Sequence, residues 1–214
     1  MLFRSENARM RKPFRLLIAV PCTDYMHADF VRSLVNLTGH LQREGIHHQV
    51  EIANGSLVYI ARDRLACKAI NDGFTHILFI DSDMVFDESI VETLTFCGKD
   101  FVCGAFQSRR PPYGKCVYQS LKPLESVKNW GMEPFRVSGC GMALTMISAE
   151  ILKTVQEKHG TCFSPEMIEG VKFGEDLAFC WRAAATGAEI WCEPTARCGH
   201  ITHVPIWPGE EPAT

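Results

Sequence analysis

Two pairs of adjacent acids hold most of the chemistry this chain could perform. Asp81-Ser82-Asp83 ends an unbroken apolar run, Ile77, Leu78, Phe79 and Ile80. Residues two apart on an extended chain point the same way, so the carboxylates of Asp81 and Asp83 are expected on one side of the run's carboxyl end. Two like charges facing one crevice repel unless a cation lies between them. A hard divalent ion that also takes substrate phosphate oxygens resolves that conflict. A solvated, idle Asp-rich turn is the competing reading of so short a motif. The second pair, Glu175-Asp176, follows Gly174 at the start of an expected helix. There the macrodipole favours negative charge, so a plain capping role competes with a chemical one.

Such groups need a scaffold. An apolar run covered on both faces is expected of a central parallel strand, and open α/β sheets bind ligands at the carboxyl ends of their strands. The rest of the chain alternates to match. Arg15 to Cys22 reads as a first strand breaking at Pro21. A helix follows from about His27 to Glu44, with Phe30, Val31, Leu34, Val35, Leu37, Thr38 and Leu41 as its apolar face and Gly45 as its stop. Gln49 to Ala53 gives a short strand. Ser56 can cap a helix running through Asn71, buried by Ile60, Leu65, Ala66, Ala69 and Ile70. After the central strand come a helix from Glu88 to Phe96 and a strand from Phe101 to Phe106. Gln107 to Phe135, broken by prolines and glycines, reads as one long irregular segment of the kind used for lids and binding loops. Val137 to Ile147 reads as a strand whose glycines allow close approach. Helices at Ala149 to His159 and Glu175 to Thr186 and a strand at Glu189 to Cys192 complete the pattern. The expected fold class is α/β: one domain over residues 15–206, with a mostly parallel central sheet flanked by helices. A basic arm at 1–14 precedes it and a tail at 207–214 follows.

Composition fits that reading. A chain of 214 residues is long enough to bury roughly 70% of the surface its unfolded form exposes. A net charge of -3 gives no overall electrostatic footprint for nucleic acid, while leaving room for a local patch. None of the ten cysteines forms a C-x-x-C pair, so neither a zinc ribbon nor a redox motif is indicated. They read as reduced, mostly buried thiols of a cytoplasmic protein. Arg4, Arg9, Arg11, Lys12 and Arg15 make the start of the chain basic, and the apolar run from Leu16 to Val20 is too short for a signal core or a membrane span.

The order of motifs resembles a known family. A hydrophobic strand ending in D-x-D, a glycine-bearing strand, Gly174-Glu175-Asp176-Leu177 opening a helix with Trp181-Arg182, then Gly187, Pro194 and Gly199-His200 look like a glycosyltransferase of the GT-A fold. The match is to the family-2-like enzymes and spans about residues 15 to 203. The resemblance implies a Rossmann-like GT-A domain and a nucleotide-sugar donor, taken to be a UDP-sugar, with Mn²⁺ or Mg²⁺ supporting the departing diphosphate. It implies that Asp83 binds the metal directly, that Asp81 touches it through water or holds the ribose, and that Ser82 lies beside them on the donor. His200 would be a further ligand, with His203 as its substitute. Asp176 would deprotonate an acceptor hydroxyl with Glu175 in support, giving inversion at the anomeric carbon. The nucleotide would lie across Pro21, Thr23, Asp24 and Arg62, unless Arg62 and Asp63 form only a solvated helix face. Arg109 and Arg110 could meet diphosphate or an acidic acceptor, or merely face solvent. Trp130 could stack on a sugar or pin its loop. The acceptor, whether glycan, lipid, protein or modified nucleic acid, is left open. A partner chain or a second copy could supply part of its surface.

Two other readings use the same residues. Asp81-Ser82-Asp83-Met84-Val85 fits the signature of haloacid-dehalogenase-like phosphatases, with Asp81 as nucleophile, although those enzymes carry it on the first strand. A non-catalytic sugar-nucleotide-binding module would need the first acidic pair but not the second.

Overall fold

The computed structural model describes residues 13–55 and 57–202. Ser56, His203, most of the basic arm and the C-terminal tail therefore lie outside the described residues. In chain order the elements are β1 (Leu16–Cys22), α1 (Ala28–Arg43), β2 (His48–Asn54), α2 (Val58–Asn71), β3 (His76–Ile80), β4 (Met84–Phe86), α3 (Ile90–Phe96) and β5 (Phe101–Ala105). There follow β6 (Val117–Leu121), β7 (Leu124–Ser126), β8 (Phe135–Val137), β9 (Gly139–Cys140), β10 (Leu144–Ser148) and α4 (Ala149–His159). The chain then continues through β11 (Glu166–Ile168), β12 (Val171–Phe173), α5 (Glu175–Ala185) and β13 (Ile190–His200).

The main sheet has the order β2-β1-β3-β10-β5-β13-β4, with β8 paired to β13. Strands β1, β2, β3, β5 and β13 run one way, and β10, β8 and β4 run the other. The sheet is thus mostly parallel, as expected, but β10 inserts antiparallel between β3 and β5. Strand β1 also runs through Pro21: pairing to β3 stops at Ala19, while pairing to β2 continues to Cys22. The stretch from Val137 to Ile147 is three short strands rather than one, because the chain leaves β8, crosses to β6 through β9 and only then joins the main sheet. The segment expected to be irregular holds β6 and β7, which form a small sheet with β9.

Both faces of the sheet are covered, which is why its strands read as continuous apolar runs. On one face α1 buries Phe30, Leu34, Leu37 and Leu41, four positions on one helical stripe. Val31 and Val35, expected on that stripe, are 42% and 62% exposed, and Ser33 is inside instead, its hydroxyl accepting from the Phe86 amide at 3.3 Å. On the other face α2 presents Ala61, Leu65, Ala66 and Ala69 to the core, while Ile60 faces out. Small side chains here let α2 approach closely and carry Arg62 inward. A chain of rings, Phe79 to Phe163 to Phe179 to Phe101, fills the space under α5 with centroids 4.5–5.6 Å apart. The ten cysteines are all free thiols. Among the described residues, no helix is long and apolar enough to cross a membrane.

Candidate active site

The site lies where β1 and β3 end. Beyond Ile80 the Asp81 amide donates to Ala143 O at 3.1 Å and the Met84 amide donates back to Asp81 O at 3.2 Å, so the acidic tripeptide is a turn rather than extended chain. The Ile201 amide fastens it from the other side by donating to Asp83 O at 2.8 Å. The turn gives the two carboxylates different protein partners.

Asp81 Oδ1 accepts from Arg62 Nη2 at 2.7 Å, and the same guanidinium reaches Glu175 Oε1 through Nη1 at 2.5 Å. Arg62 is 4% exposed. Burial works against its charge, but Asp81 and Glu175 outweigh it and hold the guanidinium's pKa above its ordinary value. This excludes the solvated-helix-face reading of Arg62. Both of its terminal nitrogens bond protein carboxylates. One residue of α2 therefore ties the first acidic pair to the second.

Asp83 meets a different environment. Its Oδ2 contacts Arg109 Nη1 and lies 3.3 Å from His200 Nε2. His200 Nδ1 lies 2.9 Å from the Gln107 carbonyl, which can only accept, so Nδ1 carries a proton. In the neutral ring the Nε2 lone pair then faces Asp83. Partial burial opposes ionisation of Asp83, yet His200 and then Arg109 bring its pKa below the usual aspartate value. The hydrogen bond to Asp83 likewise raises His200, against burial. His200 is placed by β13, which can pass close to β5 because Gly104 has no side chain. A Cβ at Gly104 would lie 2.4 Å from Ala196 O.

At the start of α5, Asp176 Oδ1 accepts from the Leu177 amide at 2.8 Å. The carboxylate lies against Gly141, where an added Cβ would be 3.6 Å from Oδ2. Burial, then the adjoining Glu175, push the Asp176 pKa up, only partly offset by Arg62. The environment of Asp176 also reaches Cys116, raised to about 11, and Tyr118, raised to about 12, in both cases chiefly by burial. No sequence pattern marks these two: Tyr118 lies on β6 and Cys116 just before it, in a stretch without sustained period.

A cavity of about 380 Å³ opens beside the tripeptide, lined among others by Pro21, Thr23, Tyr25, Val58, Asp81 and Ser82, with Asp83 and Arg109 at one end. Pro21, Thr23 and all three residues of the acidic turn thus share one cavity. Asp24 is exposed and is not among its lining residues. Tyr25, 87% exposed, also lines the cavity and carries no sequence signal that separates it from its turn. Among the described residues, no group of three or more His, Cys, Asp or Glu is arranged to hold a metal ion. Asp83 and His200 supply one carboxylate and one imidazole. That set suits a dication completed by water and substrate phosphates rather than one caged by protein alone.

The strand order and the helix-covered sheet are those of the GT-A fold. Among solved structures, the chain is similar to A197 from STIV (21% identity, TM-score 0.57, covering 88% of this chain and 86% of that one). It is also similar to the catalytic domain of Drosophila beta1,4galactosyltransferase 7 in complex with xylobiose (14% identity, TM-score 0.50, 84% of this chain and 65% of that one). A mutant of that enzyme bound to manganese, UDP-Gal and xylobiose matches at 13% identity and TM-score 0.51, with the same coverage. This chain spans just under two thirds of the galactosyltransferase domain. No family model and no curated protein matches it.

Proposed function

We propose that this protein is a metal-dependent glycosyltransferase that moves a sugar from a nucleotide donor, a UDP-sugar, to an acceptor hydroxyl with inversion. The observation that carries this reading is the joining of both acidic pairs at one end of the sheet, with Arg62 bonded to Asp81 and Glu175. A binding module has no need of the second pair. A phosphatase would need Asp81 free to attack phosphorus, whereas its carboxylate is engaged by Arg62. The Drosophila enzyme bound to manganese and UDP-Gal supports the choice of donor and metal by analogy of fold alone.

The nucleotide takes the 380 Å³ cavity, a size within the range of roughly 300–1,000 Å³ usual for such ligands. Asp83 and His200 hold Mn²⁺ or Mg²⁺, which when bound supplies positive charge for the departing diphosphate. Asp176, its basicity raised by burial beside Glu175, accepts the proton of the acceptor hydroxyl. The acceptor oxygen bonds to the anomeric carbon as the carbon–oxygen bond to UDP breaks, and the bonding pair leaves with the diphosphate. Glu175, fixed by Arg62, keeps Asp176 in place.

Thermal shift against a panel of nucleotide sugars with and without Mn²⁺ tests the donor assignment, and the expected response is metal-dependent stabilisation by uridine nucleotides. Asp176→Asn should retain that stabilisation and lose transfer by about 10²–10⁴-fold, the usual contribution of a general base. Undiminished transfer in Asp176→Asn would refute the base assignment.

A further inference from the structure

Across the Asp83, Arg109 and His200 contact lies a second cavity, of about 270 Å³, between β13 and the chain that follows β5. Arg109 lines both cavities and His200 lines the second, so these side chains form the partition between the two. Its volume is below the range of nucleotide-sized pockets, roughly 300 Å³ and upward, and is suited to a single sugar ring. Its walls have a particular chemistry. Tyr113 and Trp130 supply aromatic surface, the usual complement of a sugar's apolar face. Tyr113 does so from a left-handed backbone position, φ 56°, which side chains ordinarily avoid, held by its amide donating to Arg110 O at 2.8 Å.

Arg197 lines the cavity, and its side chain makes no hydrogen bond or ion pair with any described residue. It stands just past an irregularity in β13 where register against β5 shifts between Glu193 and Arg197. That bend is fixed by Glu193, whose carboxylate accepts from Thr195 N at 3.0 Å and Thr195 Oγ1 at 2.5 Å. The carboxylate on the partition, Asp83, is already matched by Arg109 and His200. Arg197 is thus a guanidinium at a fixed strand position lining the same cavity as Tyr113 and Trp130, with no anion among the described residues bonded to it.

We propose that this cavity is an acceptor subsite for an anionic sugar residue, bearing a carboxylate or a phosphate, adjacent to the unit that receives the transferred sugar. The inference rests on the glycosyltransferase reading and adds the class of acceptor to it. Tyr113 and Trp130 take the ring, and the planar fork of Arg197 takes the charge.

The test is titration calorimetry of the full chain with methyl β-D-glucuronide, glucose 6-phosphate and the neutral methyl β-D-glucoside, alongside a separate titration with UDP and Mn²⁺. At least one charged sugar should bind about tenfold or more tighter than the neutral one, the factor carried by one charge-assisted hydrogen bond. The tighter of the two identifies the anion. Arg197→Ala, at an exposed position, should erase that preference while leaving the neutral sugar and UDP–Mn²⁺ unchanged. Tyr113→Ala should weaken all three sugars. Equal binding of charged and neutral sugars, no binding of any, or a preference that survives Arg197→Ala would overturn the proposal. Normal UDP–Mn²⁺ binding with any of those outcomes sinks the acceptor subsite alone. An Arg197-dependent preference without UDP–Mn²⁺ binding sinks the donor reading alone.

Discussion

Asp81 and Asp83 sit two residues apart, with side chains 26% and 25% exposed, yet they have opposite kinds of partner. Asp81 is gripped by Arg62, whose side chain is 5% exposed and also holds Glu175. Asp83 is met by Arg109, whose side chain is 49% exposed, and by His200 at a longer reach. Near-equal exposure of the carboxylates thus conceals a fixed end and an exchangeable end. Breaking a buried pair strands a charge and costs about 3–5 kcal/mol, whereas an exposed pair contributes about 0–1 kcal/mol. The difference teaches how one short turn can brace a site and still exchange ligands: Asp81 belongs to the frame, and Asp83 can change partners.

The most severe challenge to the comparison is Arg62→Ala. It leaves Asp81 and Glu175 without their common partner, and stability in urea should fall by about 3–5 kcal/mol. A loss below about 1 kcal/mol would place Arg62 in the same class as Arg109 and dissolve the contrast. Changing Arg62 to Leu together with Asp81→Asn and Glu175→Gln should recover much of that loss, because the cost lies in the unpaired carboxylates.

That tie was invisible in the sequence, and the reason is physical. Arg62 and Glu175 are 113 residues apart, and nothing local distinguishes a helix arginine that faces solvent from one carried inward by Ala61, Ala66 and Ala69. Features set by local chemistry were readable. The apolar run of β3 with its acidic turn fell where expected, and so did α4, whose Ser148 side chain caps Ile151 N and whose Gly160 ends it at a left-handed φ of 78°. Features set by pairing across the chain were not. The antiparallel entry of β10 between β3 and β5 needs the whole sheet to define it, and β6, β7 and the β11–β12 hairpin are short strands without a sustained period. For the site, the residues that a turn delivers were legible, Pro21 and Thr23 among them. The partners that another element brings to them were not.

At the exchangeable end, Asp83→Ala should remove at least about tenfold of the gain in UDP affinity conferred by Mn²⁺, or about 1.4 kcal/mol, measured by calorimetry with and without the ion. Under the proposed two-ligand site of Asp83 and His200, Mn²⁺ alone should bind weakly and UDP should tighten it. Tight binding of Mn²⁺ to the free protein would show a third ligand and end the two-ligand assignment.

Asp176 sharpens the fixed end through pH. Its native pKa lies above the ordinary aspartate value, so the folded protein retains a proton that the unfolded chain has released. Stability therefore falls as pH rises through the interval between the two values, and the deficit is complete above the raised one. Asp176→Asn keeps an oxygen for the Leu177 amide and removes the ionisation. Its Tm should match the wild type in acid and exceed it by a few degrees at neutral pH. An advantage that does not grow with pH would mean that the carboxylate is comfortable where it lies.

The smallest expected effect is the counterpart of the largest. Arg109→Ala removes a guanidinium that is half in solvent, so stability should change by no more than about 1 kcal/mol. The change should shrink further in high salt, because an exposed pair is screened and a buried one is not. Binding should respond more than folding does. With Arg109 gone, Asp83 Oδ2 no longer has a resident cation competing with Mn²⁺, and the ion's affinity for the nucleotide-free protein, followed by electron paramagnetic resonance, should rise. A fall in Mn²⁺ affinity together with a stability loss as large as that of Arg62→Ala would mean that Arg109 is a second brace, and that both carboxylates of the turn belong to the frame.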